Sequence, residues 1–406
     1  MSRPVETAVM RFLTSRTRFG PLEIAFWVVA FATIWLLPTR HLILTEIAIW
    51  GLFAVSLDLI LGYAGILSLG HAAFFGIGAY AAGLIAKHEI ITEPTVALLA
   101  AGLIAAAIGF ATSFLVLRGS DLTRLMVTLG VSLVAYELAN KFGEITGGAD
   151  GLQGVSMAPI LGTWRFDMFG HTAYVYTLVW LFVLFMLARR IVNSPFGLSL
   201  KAIKGNLLRA SSVGIAVNWR LVAVYTLSAG YAGIAGGLLA QTQAFASLSM
   251  LSIDRSADAL LMIIIGGTGY LYGGLIGALI YRLLQDFLST FSARFWQLWI
   301  GFILIMMVLF GRVYGGIIAA AIIGTTIWLE QYGVTLSFLG MTIRIALSPT
   351  GSFVVLGVSL LVLGLAHPIL VKGIALAEQQ ARIWFGRIWT RSKPVVREKV
   401  DHGAGA

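Results

Sequence analysis

Several ionisable side chains lie within or beside long apolar runs, and these are the residues best placed to do chemistry. They are Glu46, Asp58, His71, Glu137, Asp258, Arg282 and Asp286. An ionisable group inside a membrane-spanning segment is costly to bury, so each is a candidate functional residue by default. Their spacing forms no nucleophile–base pair and no set of metal ligands. We therefore expect no enzymatic activity, no catalytic residue, no metal site and no cofactor.

Helix geometry explains some of these charges without a functional role. Glu137 and Lys141, like Arg282 and Asp286, have the four-residue spacing of side-chain pairs on one helix face. Asp58 is the hardest to explain in this way, because it lies about one turn before a glycine-rich interruption. Of these charged residues, Asp58 is the strongest candidate for a direct function.

That interruption, residues 62–80, lies between the second and third apolar runs. Broken helices are tolerated at membrane depth only where protein or a water-filled cavity satisfies the freed backbone, and such breaks often mark solute sites in transporters. Two interpretations of His71 remain open: a neutral imidazole bonded to a neighbouring carbonyl, or a gating or solute-contacting group. The candidate translocation-pathway residues are Gly65, Ser68, Gly70, His71, Phe74, Gly76 and Gly78.

A basic segment at 194–214 is predicted to form one short helix of about five turns between two spans, on the inner side. Ser194 is the expected N-cap, Pro195 the first helical residue and Gly214 the stop. The helix either rests at the lipid headgroups through its basic side chains or docks a cytoplasmic partner. The basic side chains concerned are Lys201, Lys204 and Arg209.

Two glycine-rich loops allow tight turns and close backbone approach. The residues assigned to them are Gly147, Gly148, Asp150 and Gly151 on the outer side, and Gly266, Gly267 and Gly269 on the inner side. The second loop lacks the Gly-Lys-Ser/Thr ending of a phosphate-binding loop, and no such motif occurs in the chain. If ATP drives this protein, another subunit must bind it.

The composition requires a membrane to hold these segments. Of the 406 residues, 59% are hydrophobic and 11% charged, whereas soluble domains carry about 25% charged residues. The chain has no cysteine, which excludes disulfides and thiolate chemistry. The net charge of +10 resides in loops, where it predicts cytoplasmic anchoring against membrane lipid and not nucleic-acid binding.

The predicted fold class is all-α, a polytopic helical membrane protein, because the spans are continuously apolar and do not alternate as barrel strands do. The predicted spans are 24–38, 43–62, 66–86, 95–117, 122–141, 172–190, 219–240, 254–268, 271–290, 295–311, 314–332 and 350–371. The first is expected to be an uncleaved helix. Placing the basic segments on one side favours two short crossings, or a re-entrant pair, over 254–290; the alternative is one tilted helix over 254–281.

Four regions follow from this layout. They are a basic cytoplasmic N-terminus (1–23), a transmembrane domain (24–317) that includes 194–214, further C-terminal spans (318–371) and a basic amphipathic cytoplasmic tail (372–406).

The stretch from Gly62 to Tyr80 closely resembles the signature of the permeases of branched-chain amino acid ABC importers, specifically the subunit that pairs with a shorter second permease. Further blocks resemble the same family in the same order, and the resemblance covers about residues 43–317. These blocks are 118–129 with 146–152, 193–215, and 264–274 with 277–278.

The resemblance implies about ten family spans plus two extra ones, in a multi-pass protein of the bacterial inner membrane. The implied partners are a second permease subunit in a heterodimer, two cytoplasmic ATP-binding subunits and a periplasmic solute-binding protein. The implied coupling helix, seated on the ATPase, includes Ser194, Pro195, Gly197, Lys201, Ala202, Lys204, Arg209 and Gly214. The chain departs from the family where Gly205 and Asn206 follow Lys204 in place of an acidic residue, and in about 90 further residues after 317.

The expected function is alternating-access import of branched-chain or related hydrophobic amino acids, driven by the separate ATPase subunits. One alternative keeps this machinery but imports urea, short amides or aromatic acids. A second, of a different class, is a stand-alone secondary carrier or channel, which would transport solute unaided in liposomes under an ion gradient.

The span count predicts opposite membrane sides for residues 289 and 390. Because the chain lacks cysteine, the single variants Ser289→Cys and Thr390→Cys provide clean probes. A membrane-impermeant thiol reagent should label them from opposite sides in sealed vesicles. Labelling of both from the same side would contradict the count.

Overall fold

The structure, a computed structural model, describes residues 20–167, 169–291, 296–310, 318, 334–338 and 341–345. Nearly all of the described chain is helical. The helices are α1 (Pro21–Leu36), α2 (His41–Asp58), α3 (His71–Lys87), α4 (Pro94–Val116), α5 (Asp121–Lys141), α6 (Gly143–Thr146), α7 (His171–Val192), α8 (Pro195–Gly205), α9 (Leu207–Ser212), α10 (Val217–Gln243), α11 (Ile253–Gly266), α12 (Leu271–Phe291) and α13 (Trp296–Phe310). The predicted fold class, a polytopic helical membrane protein, is confirmed.

The chain divides into two compact units, residues 1–286 and 287–406. In the second unit, α13 is a short apolar helix. Strands β1 (Val334–Phe338) and β2 (Met341–Ile345) form an antiparallel hairpin in which Phe338 pairs with Met341. The sequence predicted no strands, so this hairpin is a small departure from the all-α expectation. The predicted spans 314–332 and 350–371 and the tail 372–406 lie outside the described residues, apart from residue 318.

The centre of the first unit is α10, which packs against α2, α3 and α4. Its glycines let backbones touch directly: a Cβ on Gly236 would collide with the carbonyl of Phe75 in α3, and one on Gly78 with the carbonyl of Gly233. Lipid supplies no hydrophobic drive between helices, so close backbone approach through small residues is the main source of attraction. The core is therefore held by contact of main chains along α3, α4 and α10.

Five helical segments in the described part of the chain are long and apolar enough to cross a bilayer. They are Pro38–Tyr63, Pro94–Val116, Asp121–Lys141, His171–Val192 and Val217–Gln243. Helices α11 and α12 meet at a bend of 111°. One continuous tilted helix over 254–281 is therefore excluded, and by length and composition the pair is a broken span or a re-entrant pair.

Two further boundaries differ from the sequence prediction. The span expected at 66–86 begins only at His71, because residues 64–70 leave the helical conformation. The helix expected at 194–214 is two helices, α8 and α9, that meet at Asn206. Asn206 adopts an extended conformation, and its side-chain oxygen accepts the Arg209 N–H (2.9 Å), which starts a new helix.

Two long-range contacts tie separate segments of the first unit together. The backbone N–H of Leu152 donates to the Ala246 carbonyl (2.7 Å), and the loop carrying Leu152 follows α6. Arg189 pairs with Glu23 (2.7 Å), which joins α7 to α1. The membrane side of each loop stays a prediction.

Replacing Gly236 with alanine should destabilise the protein, because the added methyl must push α10 away from α3. Overpacking of this kind costs about 1–3 kcal/mol. Thermal unfolding in detergent should show a lower Tm for G236A. The matched control is Gly130→Ala, since nothing lies within 4 Å of a Cβ at Gly130. Equal Tm values for the two variants would contradict this account of the core.

Candidate functional site

The helix break between α2 and α3 is the framework of the site. α2 ends at Asp58, a wide π-turn follows at Leu59–Tyr63, and the chain is not helical again until His71. Gly65 lies in the left-handed region at φ +76°, which glycine adopts without strain. Glycines at this point both weaken the helix and allow the turn. The sequence prediction of a break here is met, and the break begins one turn after Asp58.

Freed backbone groups in the break are satisfied by side chains from other helices. The Leu69 N–H donates to Thr128 Oγ1 (3.3 Å), and the Ala72 N–H donates to Ser256 Oγ (2.8 Å). Thr128 belongs to α5 and Ser256 to α11, both far away in sequence. Sequence reasoning did not identify Thr128 or Ser256, and no periodicity marks these hydroxyls as partners of the break.

Helix α8 lies directly on the break through its lysines. Lys204 Nζ donates to the Gly62 carbonyl oxygen at 2.7 Å. The stem of Lys204 passes 3.1 Å from the position of a Cβ on Gly65. The Lys201 ammonium lies 5.1 Å from the centre of the Tyr63 ring, a cation–π distance. The basic segment and the glycine break are therefore one structural unit.

Asp58 joins the break to the second glycine loop. Its side chain is fully buried, and Oδ1 accepts the Gly269 N–H at 2.8 Å. Gly269 has φ +77° and lies in the bend between α11 and α12. A Cβ on Gly62 would overlap Asp58 Oδ1 and lie 2.5 Å from the Gly269 nitrogen, so only glycine fits there. Lys204 also interacts electrostatically with Asp58.

We call Asp58, Gly62, Lys204 and Gly269 the glycine junction. Three segments that the sequence singled out separately meet in it: the break after α2, the basic helix α8 and the loop at 266–270. Gly266 and Gly267 of that loop approach Gly273 so closely that a Cβ on Gly273 would meet their carbonyl oxygens. The arrangement connects α8 to two helix breaks through hydrogen bonds.

The basic segment shows a buried and an exposed face. Gly197, Leu200 and Ile203 are buried at helical spacing. Ser194 occupies the N-cap position, but its hydroxyl donates to the Ile191 carbonyl (2.6 Å) and does not cap α8. Pro195 is the first helical residue as predicted.

The exposed face continues into α9 and the turn after it. Leu207, Leu208 and Val213 are exposed, Leu208 to 75% and Val213 to 82%. Arg209 and Ala202 are exposed beside them. Gly214 has φ +89° and follows the end of α9. An exposed apolar tip flanked by an arginine has the composition of a protein-binding surface.

The residues predicted for the translocation pathway are mostly packed in the core. Phe74 is 1% exposed, and Ser68 is fully buried. Cβ atoms on Gly70, Gly76 and Gly78 would meet Thr128, Leu251 and Gly233 respectively. Gly65 is exposed and lies beside Lys204. Their role along the solute path stays a prediction.

His71 is fully buried at the start of α3. Its Nε2 lies 2.9 Å from Ser56 Oγ and 3.4 Å from Ser228 Oγ, and its ring stacks on Phe53 with 5.6 Å between ring centres. The partners are hydroxyls of α2 and α10, not the neighbouring carbonyl that the sequence suggested. Within the part of the chain that the structure describes, Nδ1 has no hydrogen-bond partner.

The outer glycine loop turns sharply beside the end of α5. Gly147, Gly148 and Gly151 all have positive φ, and Asp150 lies in the short 3₁₀ turn between them. A Cβ on Gly147 would collide with the Gly151 carbonyl. These glycines are thus required by turn geometry, and any further role is a prediction.

The remaining candidate charges have structural partners or are exposed. Arg282 forms an interhelical ion pair with Glu46, in addition to its electrostatic interaction with Asp286. Asp258 accepts a hydrogen bond from Tyr281 (2.5 Å), which holds α11 against α12. Glu137 is exposed on α5. Among the described residues no group of three His, Cys, Asp or Glu side chains could hold a metal ion.

Comparisons with known proteins agree with this architecture. The family described as "Branched-chain amino acid transport system / permease component" matches residues 40–311. The high-affinity branched-chain amino acid transport system permease proteins LivM of Escherichia coli and Salmonella typhimurium are each 26% identical over 288 residues, covering 66% of this chain and 67% of theirs. A probable branched-chain amino acid transport permease protein LivH of Methanocaldococcus jannaschii is 27% identical over 228 residues, covering 54% of this chain and 66% of its own. No solved structure matches the chain.

Removing the Asp58 carboxylate should loosen the glycine junction. Asp58→Ala leaves the Gly269 N–H unpaired in a buried place, at a cost of about 1–3 kcal/mol. Asp58→Asn keeps an oxygen acceptor and should lose less. Thermal unfolding and protease sensitivity at 266–270 would measure the difference, and equal behaviour of the two variants would contradict the assigned hydrogen bond.

Proposed function

The chain belongs to the family of permease components of branched-chain amino acid transport systems, and from this membership we propose that it is the permease subunit of an ATP-driven importer. Separate ATPase subunits supply the energy, because the sequence contains no phosphate-binding loop of the Walker type. A periplasmic solute-binding protein delivers the solute, and a second permease subunit completes the pore in the bacterial inner membrane. The transported solutes are branched-chain or related hydrophobic amino acids.

The hydrogen bond from Lys204 to the Gly62 carbonyl carries the proposal. It connects a helix on the surface to a break in the membrane-embedded core without any intervening flexible linker. Movement of α8 would act at once on the end of α2 and, through Asp58, on the Gly269 bend. Both breaks interrupt a helical segment, so they can act as hinges. A small displacement at either break would rotate the helices on its two sides. Alternating access is thereby driven from α8.

The ATPase contact is proposed to be the tip formed by α9 and the turn after it. The exposed Leu207, Leu208 and Val213 suit an apolar cleft, and Arg209 suits an acidic residue at its rim. Gly205 and Asn206 stand where the family usually has an acidic residue. In this chain Asn206 has an extended backbone and caps α9, so α9 begins as a separate helix with an exposed apolar surface.

The solute path is proposed to pass beside residues 62–80, which contain the helix break between α2 and α3. The tight packing of Gly70, Gly76 and Gly78 shows that this chain by itself leaves little space there. A path would therefore form together with the second permease subunit or on movement of α3. Urea, short amides or aromatic acids are the alternative solutes, because permease architecture does not determine the specificity of the binding protein.

Lys204→Met should uncouple the importer. A hydrogen bond that involves a charged group contributes about 1.5–3 kcal/mol, and about 1.4 kcal/mol corresponds to tenfold in an equilibrium constant. We therefore expect uptake of radiolabelled leucine to fall about tenfold or more in proteoliposomes that contain the whole importer. ATP hydrolysis and assembly of the subunits should persist.

The matched control is Lys87→Met, an exposed lysine at the end of α3 that takes no part in the glycine junction. Its uptake should equal that of the wild type. Normal uptake by K204M would exclude the coupling role of Lys204. Uptake by the purified chain alone under an ion gradient would contradict the importer and indicate a secondary carrier. Uptake of urea with no competition from leucine would indicate that urea is the transported solute.

A further inference from the structure

A groove of about 450 Å³ runs along the outer half of α7, away from the glycine junction. Its walls are α7, the first turn of α4 at Thr95, and the loop that contains Ile160 and Trp164. The volume lies within the range of roughly 300–1,000 Å³ found for sites that bind small molecules. The proposed transport cycle makes no use of this groove.

We propose that the groove binds one acyl chain of a membrane phospholipid, with the headgroup at the level of His171 and Thr172. The polarity of the lining changes along α7 in the way that a lipid requires. Thr95, His171 and Thr172 lie at the mouth, whereas Val175, Val179 and Val183 line the groove further along α7. From residue 171 to residue 183 an α-helix rises about 18 Å. One leaflet contributes about half of a hydrocarbon core of roughly 30 Å, so the lengths agree.

The groove is open along the exposed side of α7, through which a lipid could enter from the bilayer. Val179 is 46% exposed and Val183 is 50% exposed, on the part of α7 that lies within the span. Trp164 is 60% exposed near the mouth, and Trp180 contacts Tyr176 with 6.5 Å between ring centres. Tryptophan and tyrosine are enriched at the level of the headgroups. Trp164 thus marks the depth at which the glycerol region would lie, whereas Trp180, about 14 Å along α7 from His171, lies beside the acyl chain.

The mouth of the groove is held in shape by hydrogen bonds. Asp167 accepts the backbone N–H groups of His171 (3.1 Å) and Thr172 (2.8 Å) at the start of α7. Burial would raise the pKa of Asp167, but these amide hydrogen bonds outweigh it and lower the pKa below its ordinary value. On the facing wall, the Leu161 N–H donates to Glu93 Oε1 (3.1 Å). The site is therefore preformed and does not depend on the ligand for its shape.

The lining is unsuited to a charged solute. None of the described residues that line the groove is Asp, Glu, Lys or Arg, and the nearby carboxylates of Asp167 and Glu93 are hydrogen-bonded to backbone N–H groups at its mouth. A zwitterionic amino acid would lose its hydration there without gaining ionic partners, at a large cost in free energy. A hydrocarbon chain gains about 0.8 kcal/mol for each CH₂ that leaves water, but it already lies in hydrocarbon in a bilayer. Binding in the groove therefore depends on how well the acyl chain fits the lining and on polar contacts between the headgroup and the mouth.

Filling the groove tests the proposal. The double variant Val179→Phe/Val183→Phe places two rings in the space of the acyl chain. Native mass spectrometry of the purified chain, with phosphatidylethanolamine added in detergent, should show one fewer retained lipid than the wild type. The matched control is Val134→Phe, because Val134 is similarly exposed (59%) on α5 and does not line this groove. V134F should retain the wild-type number.

A second measurement requires no filling of the groove. In vesicles of phosphatidylcholine with brominated acyl chains, wild-type tryptophan fluorescence should be quenched more than that of Trp180→Phe, because bromine reaches Trp180 from the groove. Equal lipid retention by the wild type and the double variant would overturn the proposal, as would equal quenching with and without Trp180. So would protection of Trp180 from quenching when the second permease or the binding protein is added, since a protein would then occupy the groove.

Discussion

Backbone N–H and C=O groups that leave a helix within a bilayer must find partners inside the protein, because lipid offers none. The structure meets this constraint by placing its interruptions against one another. The Gly62 carbonyl is taken up by Lys204, and the Gly269 N–H by the buried Asp58. Each break is thus stabilised by a residue from another segment. Without that residue, the backbone groups at the break would remain unpaired, at a cost in free energy.

Close backbone approach makes the arrangement possible. At Gly62 a methyl group would displace both the Asp58 carboxylate and the Gly269 amide, and at Gly236 it would separate α10 from α3. Interiors of this kind are close-packed and have few intermediate arrangements, so a displacement tends to be transmitted as a whole. A core held by main-chain contacts is stiff along each helix and can bend mainly at its breaks. A displacement of α8 would therefore be transmitted to the two helix breaks.

Helix α7 relates the two ends of the molecule. Its N-terminal half forms one wall of the lipid-sized groove, and its C-terminal end carries Arg189, which pairs with Glu23 of α1. Only two residues separate the end of α7 at Val192 from the start of α8 at Pro195. A lipid bound along α7 would thus contact the same helix that leads into α8. One continuous helix and a short turn therefore connect the groove to α8.

The sequence by itself determined the membrane class, the helical fold and most span positions, because apolar length and loop charge are local properties that one segment displays alone. It also indicated the break at 62–70, the loop at 266–270 and the basic segment, since glycine, proline and lysine act through local backbone preference and charge. Only the tertiary structure decided that these three meet at Asp58 and Lys204, that Asn206 divides the basic segment, and that His71 contacts Ser56 and Ser228. Such pairings join residues far apart in sequence, and their energy depends on packing geometry that no local pattern records.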